Sequence, residues 1–308
     1  MAEVTNNPNH YSGNLNIPES ITYDGIDYRV KSIGKRAFSY CSDLTSITIP
    51  NGVTTIGESA FERCKKLTSI SIPDSLKSIE KMAFSGCDGL TKVSFSGMAC
   101  IECMCNINYY NETSCPLRYA HHLYINGEEV TEIVIPNTVT TIGAYAFSGC
   151  YYITSVTIPN TVTTIGFNSF SGCGRLVNIS IPNSVTGIVA DAFENCSSLT
   201  DVYCYAENVP SAQSAFDAKL IATATLHVPA GSIDAYKEAV PWKNFGNIVA
   251  LAENKGDLNG DFKIDIADAV SILNLMAEGS DDSAADLNGD GKVDIADFVS
   301  VLNLMAGQ

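Results

Sequence analysis

Two stretches near the end of the 308-residue sequence repeat one pattern of oxygen-bearing side chains. Asp257, Asn259, Asp261, Asp265 and Asp268 stand at positions 1, 3, 5, 9 and 12 of a twelve-residue frame. Asp286, Asn288, Asp290, Asp294 and Asp297 repeat that frame 29 residues later. Hard oxygen donors so spaced wrap a divalent cation, Ca2+ taking roughly six to eight oxygens, with the residue at position 7 supplying its backbone carbonyl. Lys263 and Lys292 hold that position, where only the main-chain oxygen is used. Position 6 needs glycine for a sharp turn; Gly291 provides it and Phe262 does not, so the first loop is expected to bind more weakly or through a distorted turn. Charge points the same way. The chain carries a net charge of −16, and residues 255–308 alone hold eleven acids against three lysines. So concentrated a charge calls for a counter-ion, and two Ca2+ are expected.

Each loop runs directly into an apolar helical stretch, Ala269 to Met276 and Phe298 to Met305, with no incoming helix before either loop. A duplicated loop-helix pair with Asp at position 12 closely resembles the type I dockerin, a module that binds cohesin domains of scaffoldin proteins. The resemblance covers residues 256–308 and implies calcium-dependent docking into a cellulosome, an extracellular assembly that degrades polysaccharides. It also implies a partner-facing surface made of Ile266, Ala267, Val270, Leu273 and Asn274, or of Ile295, Ala296, Val299, Leu302 and Asn303. Amphipathic spacing alone leaves Leu273 and Leu302 equally suited to burial between the helices. Because the halves are near copies, either is expected to serve the partner after a half-turn of the module.

Behind this tail lies a periodic body. Ile33, Ala37, Phe38 and Cys41 recur as Ile56, Ala60, Phe61 and Cys64, and again as Ile79, Ala83, Phe84 and Cys87. A second set follows in Ile142, Ala146, Phe147 and Cys150, in Ile165, Phe170 and Cys173, and in Ile188, Ala192, Phe193 and Cys196. Within each set the cysteines are 23 residues apart, a period that marks a solenoid whose coils bury apolar surface only against their neighbours. Between each Cys and the next Pro, as in Leu44 to Pro50 or Leu176 to Pro182, apolar residues alternate with Ser and Thr, which predicts a strand ended by proline. The Ala-Phe-x-x-Cys segment predicts a short helical turn, with the glycine of Ile-Gly allowing a positive-φ turn before it. The ladder cysteines read as small apolar core residues.

This line resembles the BspA-like, bacterial surface antigen type leucine-rich repeat over about residues 17–205. The resemblance implies an extracellular binding or adhesion scaffold. The fold expected is therefore a leucine-rich-repeat solenoid of short parallel strands and short helical turns, joined to a small all-α dockerin. Solenoid residues are expected over 1–250, a linker over 251–255 and the dockerin over 256–308.

The period breaks once, where 63 residues separate Cys87 from Cys150. The island near 96–131 holds Cys100, Cys103, Cys105 and Cys115 beside His121 and His122. Zinc ligation, disulfides and buried thiols are all open readings for it; against zinc, a second Cys pair is missing and adjacent histidines on a strand point opposite ways. Beyond Cys196 the period lapses into an expected cap near 205–250, anchored by the only tryptophan, Trp242. Ser46, Thr48, Ser69, Ser71, Ser155, Thr157, Asn178 and Ser180 are the strand positions expected to face solvent, where a ligand or an idle sheet would equally show small hydroxyls.

Several function classes are excluded or demoted. An acidic chain with no basic run repels phosphate backbones, so nucleic acid is not an expected partner. No 18-residue apolar run suggests a membrane span. Met1 to Asn6 carry no charged segment followed by an apolar one, and the reading favoured is the mature form of a secreted, extracellular or cell-surface protein. No nucleophile elbow, zinc-protease helix or phosphate loop is present, and there are only four histidines, His10, His121, His122 and His227. The expectation is a non-catalytic component whose solenoid binds protein or carbohydrate. The alternative is a dockerin-borne hydrolase or protease inhibitor with its site in the island.

Overall fold

The alternating segments fold as in-register parallel strands. In the computed structural model, which describes residues 1–6, 10–251, 256–258, 264, 266–279 and 285–306, Ile47 pairs across to Ile70 and Ile70 to Val93. These apolar residues turn inward and are buried, whereas the Ser and Thr between them line the outer face. A second, narrower ladder runs beside the first, with Ile33 opposite Ile56 and Ile56 opposite Ile79. Strict alternation places one whole side of each coil in the core. The chain divides into two compact units, Met1–Val249 and Ala250–Gln308.

One apolar cluster runs through the first unit from Ile17 to Phe245. Its spine is two columns of phenylalanines. Phe38, Phe61 and Phe84 stack nearly parallel with centroids 5.1 and 5.2 Å apart, and Phe147, Phe170, Phe193 and Phe216 continue at 5.3, 5.5 and 5.1 Å. Beside four of these rings a cysteine thiol donates back to the phenylalanine carbonyl of the preceding coil, Cys64 Sγ to Phe38 O at 3.0 Å and Cys87 Sγ to Phe61 O at 3.0 Å. Cys173 and Cys196 repeat the contact. A thiol therefore suits this position better than alanine, because it fills apolar space and also satisfies a buried carbonyl.

The turn around each Phe is tighter than an α-helix. Cys41 N bonds Phe38 O, three residues back, while Arg36, Phe38 and Tyr40 donate to Glu58, Ala60 and Glu62 on the next coil. Alternate amides thus leave the turn to bridge coils.

The structure corrects the role expected of the Ile-Gly glycine. Gly34, Gly57, Gly143 and Gly166 do not have positive φ; the left-handed residues lie two positions on, at Arg36, Ser59, Tyr145 and Asn168. Glycine is needed for close approach instead. A Cβ on Gly57 would lie 2.8 Å from the backbone of Gly34, and one on Gly166 would lie 2.5 Å from Ile142 O.

Positive φ also recurs at Tyr40, Arg63, Gly86, Gly149, Gly172 and Asn195. Gly149 and Gly172 occupy equivalent places but differ in surroundings: a Cβ on Gly149 would meet the Arg118 Cα at 2.6 Å, while one on Gly172 meets nothing closer than 3.5 Å. Gly149→Ala is expected to cost about 2–4 kcal/mol, combining left-handed strain with overpacking, and Gly172→Ala about 1 kcal/mol. Denaturant midpoints of the two variants check this, and equal losses would contradict it.

The island is built as a degenerate coil. Helix α1 (Cys100–Asn106) follows the strand Lys92–Ser96, then Asn108–Tyr109 pairs with Ser78–Ile79. Helix α2 (Leu117–Ala120) leads to Leu123–Ile125, which pairs with Lys92–Ser96. Both ladders therefore continue one step into the island and stop there. A type of hairpin closes it, Asn126-Gly127 turning Leu123–Ile125 back onto Glu128–Glu129 with positive φ at both turn residues.

Beyond the last regular coil, α3 (Ala218–Ile221) and α4 (Ile233–Glu238) form the cap. Asp217 caps α3 through the amides of Lys219 and Leu220. Trp242 is fully buried, its indole N–H donating to Pro210 O at 2.9 Å, with Phe216, Tyr236 and Phe245 packed around the ring. The cap thereby covers the apolar face that the final coil would otherwise expose.

The second unit contains two helices, α5 (Ile266–Glu278) and α6 (Ile295–Ala306). Its core is Ile264, Ala269, Ile272 and Val301, with Leu258, Met276, Leu287, Val293, Phe298 and Met305 packed around. Ile264 and Val293, Ile272 and Val301, and Leu258 and Leu287 are equivalents 29 residues apart, so the two halves bury the same positions.

Candidate docking module and binding surfaces

Asp294 and Asp297 sit at the start of α6 and act first as its cap. Asp294 Oδ1 accepts from Ala296 N at 2.8 Å, and Asp297 Oδ2 accepts from Asp294 N at 2.9 Å. These two bonds cap the start of α6 with Asp on both sides, a helix-start signal present in the sequence Asp294-Ile295-Ala296-Asp297 that a search for metal ligands passes over. Asp297 Oδ1 also accepts from Leu287 N and Asn288 N, at 2.8 and 3.1 Å, and the side chain is fully buried. Burial acts to raise its carboxyl, but the N–H groups of Asp294, Asn288 and Leu287 outweigh it and hold the group below the usual carboxylate range. Asp268 makes the same contact in the first half, accepting from Leu258 N at 2.7 Å.

The rest of the second loop winds around Asp286. Its carboxylate accepts from Gly289, Asp290 and Gly291, and Asp290 accepts from Lys292 N and from the Asn288 amide. Gly289 and Gly291 take positive φ, which lets the chain turn so sharply. Among the described residues no basic side chain pairs with these carboxylates, and no three acidic, histidine or cysteine side chains converge as a metal cluster. The carboxylates instead take up N–H groups. In the second loop an all-oxygen donor set, with no cationic partner among the described residues, fits a hard divalent ion and does not suit zinc, which favours nitrogen and sulfur. Of the first loop, Asp257 and Asp268 are described; Asn259, Asp261, Phe262, Lys263 and Asp265 lie outside the described residues, as does most of the expected linker.

The apolar residues that flank the loops face outward. Ile266, Val270 and Leu273 on α5 are 64, 49 and 44% exposed, and Ile295, Val299 and Leu302 on α6 are 62, 48 and 38% exposed. Asn274, Ala296 and Asn303 are exposed beside them, and the Ala267 side chain lies outside the description. Leu273 and Leu302 are therefore not the residues that join the helices; Ile272 and Val301 fill that role.

Of the other predicted groups, all eleven cysteines are free and buried. Burial pushes the thiols of Cys103 and Cys105 up to about 12 and that of Cys115 up to about 11, so they are poor thiolates. His121 does not lie on a strand: it ends α2 in left-handed conformation, with Nδ1 3.2 Å from Gly149 O. His122 pairs with Glu129 and stacks on Tyr152 at 4.1 Å, while Arg175 covers Tyr152 at 4.6 Å. His227 sits 2.9 Å from Asp201 and stacks on Tyr203 at 4.2 Å. Tyr151, Tyr152, Arg175 and Tyr203 were missed by sequence reasoning; Tyr151, Tyr152 and Arg175 fall at turn positions that vary from coil to coil.

In-register coils around two phenylalanine columns, followed by two helices of which α6 is capped by Asp294 and Asp297, define a leucine-rich-repeat solenoid with a duplicated docking module. The chain belongs to the BspA type leucine rich repeat family, whose model matches six copies over residues 14–114 and 120–236, leaving the island's centre as the gap. Residues 255–305 match the dockerin type I domain. No curated protein matches the chain. Among solved structures, a leucine-rich repeat protein from Bacteroides ovatus is 24% identical over 79% of this chain and 72% of its own, with a TM-score of 0.40. A leucine rich repeat protein of T. pallidum is 25% identical over 60% of this chain and 77% of its own, TM-score 0.39. A leucine rich cell surface protein from Faecalibacterium prausnitzii is 16% identical over 84% and 92%, TM-score 0.30. The repeat and dockerin domains are non-catalytic types, and together they make the chain a protein-interaction component of the cellulosome type. Among the described residues no helix is long and apolar enough to cross a membrane.

Proposed function

We propose that the chain is a secreted, non-catalytic cellulosome component that docks through residues 256–308 onto a scaffoldin cohesin and presents its solenoid as a binding scaffold for protein or carbohydrate. Two Ca2+ hold the docking module, one on Asp257, Asn259, Asp261, Asp265, Asp268 and the Lys263 carbonyl, the other on Asp286, Asn288, Asp290, Asp294, Asp297 and the Lys292 carbonyl. Their positive charge offsets loops that otherwise crowd carboxylates together. The observation that carries the docking reading is the duplicated outward face, Ile266, Val270 and Leu273 on one helix and Ile295, Val299 and Leu302 on the other, exposed at equivalent positions. Apolar surface of this kind marks an interaction site.

Either half then serves the cohesin. In calcium, Val270→Asp with Leu273→Asp is expected to weaken capture by a type I cohesin about two-fold, the statistical loss of one of two equal modes, and Val299→Asp with Leu302→Asp to do the same. Combining all four removes binding. Titration calorimetry reads the three variants; complete loss from one half alone refutes the twin mode, and full affinity in the combined variant refutes the face itself.

A further inference from the structure

The outward ladder is interrupted at the island. A six-stranded sheet ends at Glu128–Glu129, and the next sheet starts at Glu132–Val134, whose strand partner is Ser155–Thr157. Thr154 N donates to Thr131 O and Ile135 N to Thr157 O, so residues 131, 133 and 135 turn their main-chain groups toward that partner. In a parallel ladder the residues between them face the other way, which leaves the N–H and C=O of Glu132 and Val134 along an open edge.

Beside this edge runs a groove of about 620 Å³, floored by Ile101 of α1 with Ile125, Val130 and Val134, and rimmed by Glu128, Glu129 and Glu132. It continues past Met98 and Glu102. Val134 is 64% exposed. Among the described residues no lysine or arginine lines it, and of the rim glutamates only Glu129 has an ion-pair partner, His122. The tyrosines nearby are less suited to a ligand, since His122 and Arg175 already cover Tyr152.

We propose that this groove takes an extended peptide segment of a partner protein, added as a strand to Glu132–Val134, with alternate apolar side chains on the floor and lysine or arginine against Glu128, Glu132 and Glu102. The four open main-chain groups supply register, the apolar floor selects every second side chain, and the acidic rim selects a basic segment. This deepens the reading of the solenoid as a binding scaffold and rests on it, without depending on the docking module.

The test uses the full chain in calcium and a labelled nine-residue peptide alternating valine and threonine between paired lysines, followed by fluorescence anisotropy. Saturable binding is expected, weakened at least ten-fold by Val134→Pro, which removes an open-edge N–H that the Ser155–Thr157 pairing does not use. The pair Glu128→Lys and Glu132→Lys is expected to weaken it as much, and a peptide N-methylated at alternate residues should not bind. Melting curves matching the parent confirm that the variants fold. Absence of saturable binding, or binding indifferent to both variants and to N-methylation, overturns the proposal and leaves the glutamates as guards of a short edge. Self-association of the chain abolished by Val134→Pro overturns it too, because a second copy then covers the edge. Cohesin capture by the same variants is expected to be unchanged, so failure at the groove is distinguishable from failure of the docking reading.

Discussion

Phe170→Ala is expected to lower the stability of the Met1–Val249 unit by about 3–5 kcal/mol. Phe170 is fully buried at the middle of its column, between Phe147 at 5.3 Å and Phe193 at 5.5 Å, so truncation opens a cavity that faces a ring on each side. The neighbours cannot collapse into it. Each coil is held by hydrogen bonds at fixed register to the next, including Phe170 N to Ala192 O at 2.9 Å. Urea unfolding monitored by the single tryptophan, Trp242, measures the loss. A change under about 1 kcal/mol would mean that the column is not the element joining the coils.

Asp297 offers the second large effect and a means of separating two roles. Asp297→Ala removes the acceptor for Leu287, Asn288 and Asp294 N–H groups at once. A lost cap costs about 0.5–2 kcal/mol, and the half-buried Leu287 and Asp294 N–H groups lose their acceptor as well, so α6 is expected to unfold whatever the calcium concentration. Asp297→Asn keeps one oxygen, which can still accept from Leu287 and Asn288, while its NH2 cannot replace the acceptor for Asp294 N–H, and it removes the charge. That variant is expected to retain α6 in high calcium but to require more of the ion. Helix content by circular dichroism across a calcium titration distinguishes them, and identical curves for the two variants would contradict the dual role.

Much of this architecture was legible in the residues because its physics is periodic. A 23-residue spacing of Phe and Cys, with alternation between them, fixes both the coil and the face each side chain takes. The acidic loops were legible for the same reason, two copies confirming one frame. What escaped depends on contacts between coils. Whether a glycine serves φ or proximity is decided by the neighbouring backbone, 2.8 Å from where the Gly57 Cβ would be, and Glu80 and Val189 at the equivalent positions give no warning. The capping role of Asp294 and Asp297 was hidden by the stronger metal-loop signal over the same residues. The groove was invisible because it exists only where two ladders fail to meet, and no local pattern of Glu132 to Val134 distinguishes an edge strand from a central one.

The outward apolar faces of α5 and α6 were half legible. Spacing put Leu273 and Leu302 on the boundary between core and surface, and the decision fell to Ile272 and Val301, one residue earlier, which pack at the helix junction. A rotation of less than a third of a turn separates the two outcomes, so only packing could settle it.

Calcium linkage of the docking module is the claim on which the function depends. With free calcium at about a hundred times the dissociation constant, each site stabilises the folded module by about 2.7 kcal/mol, enough for a unit with so small a core to fold or not. The direct measurement is amide hydrogen exchange of the full chain, with parallel cohesin capture, in millimolar calcium and after chelation. Protection of α5 and α6 and cohesin capture are predicted to vanish together on chelation and return with calcium, while the strands of Met1–Val249 keep their protection. Helices equally protected in chelator, with capture intact, would contradict it.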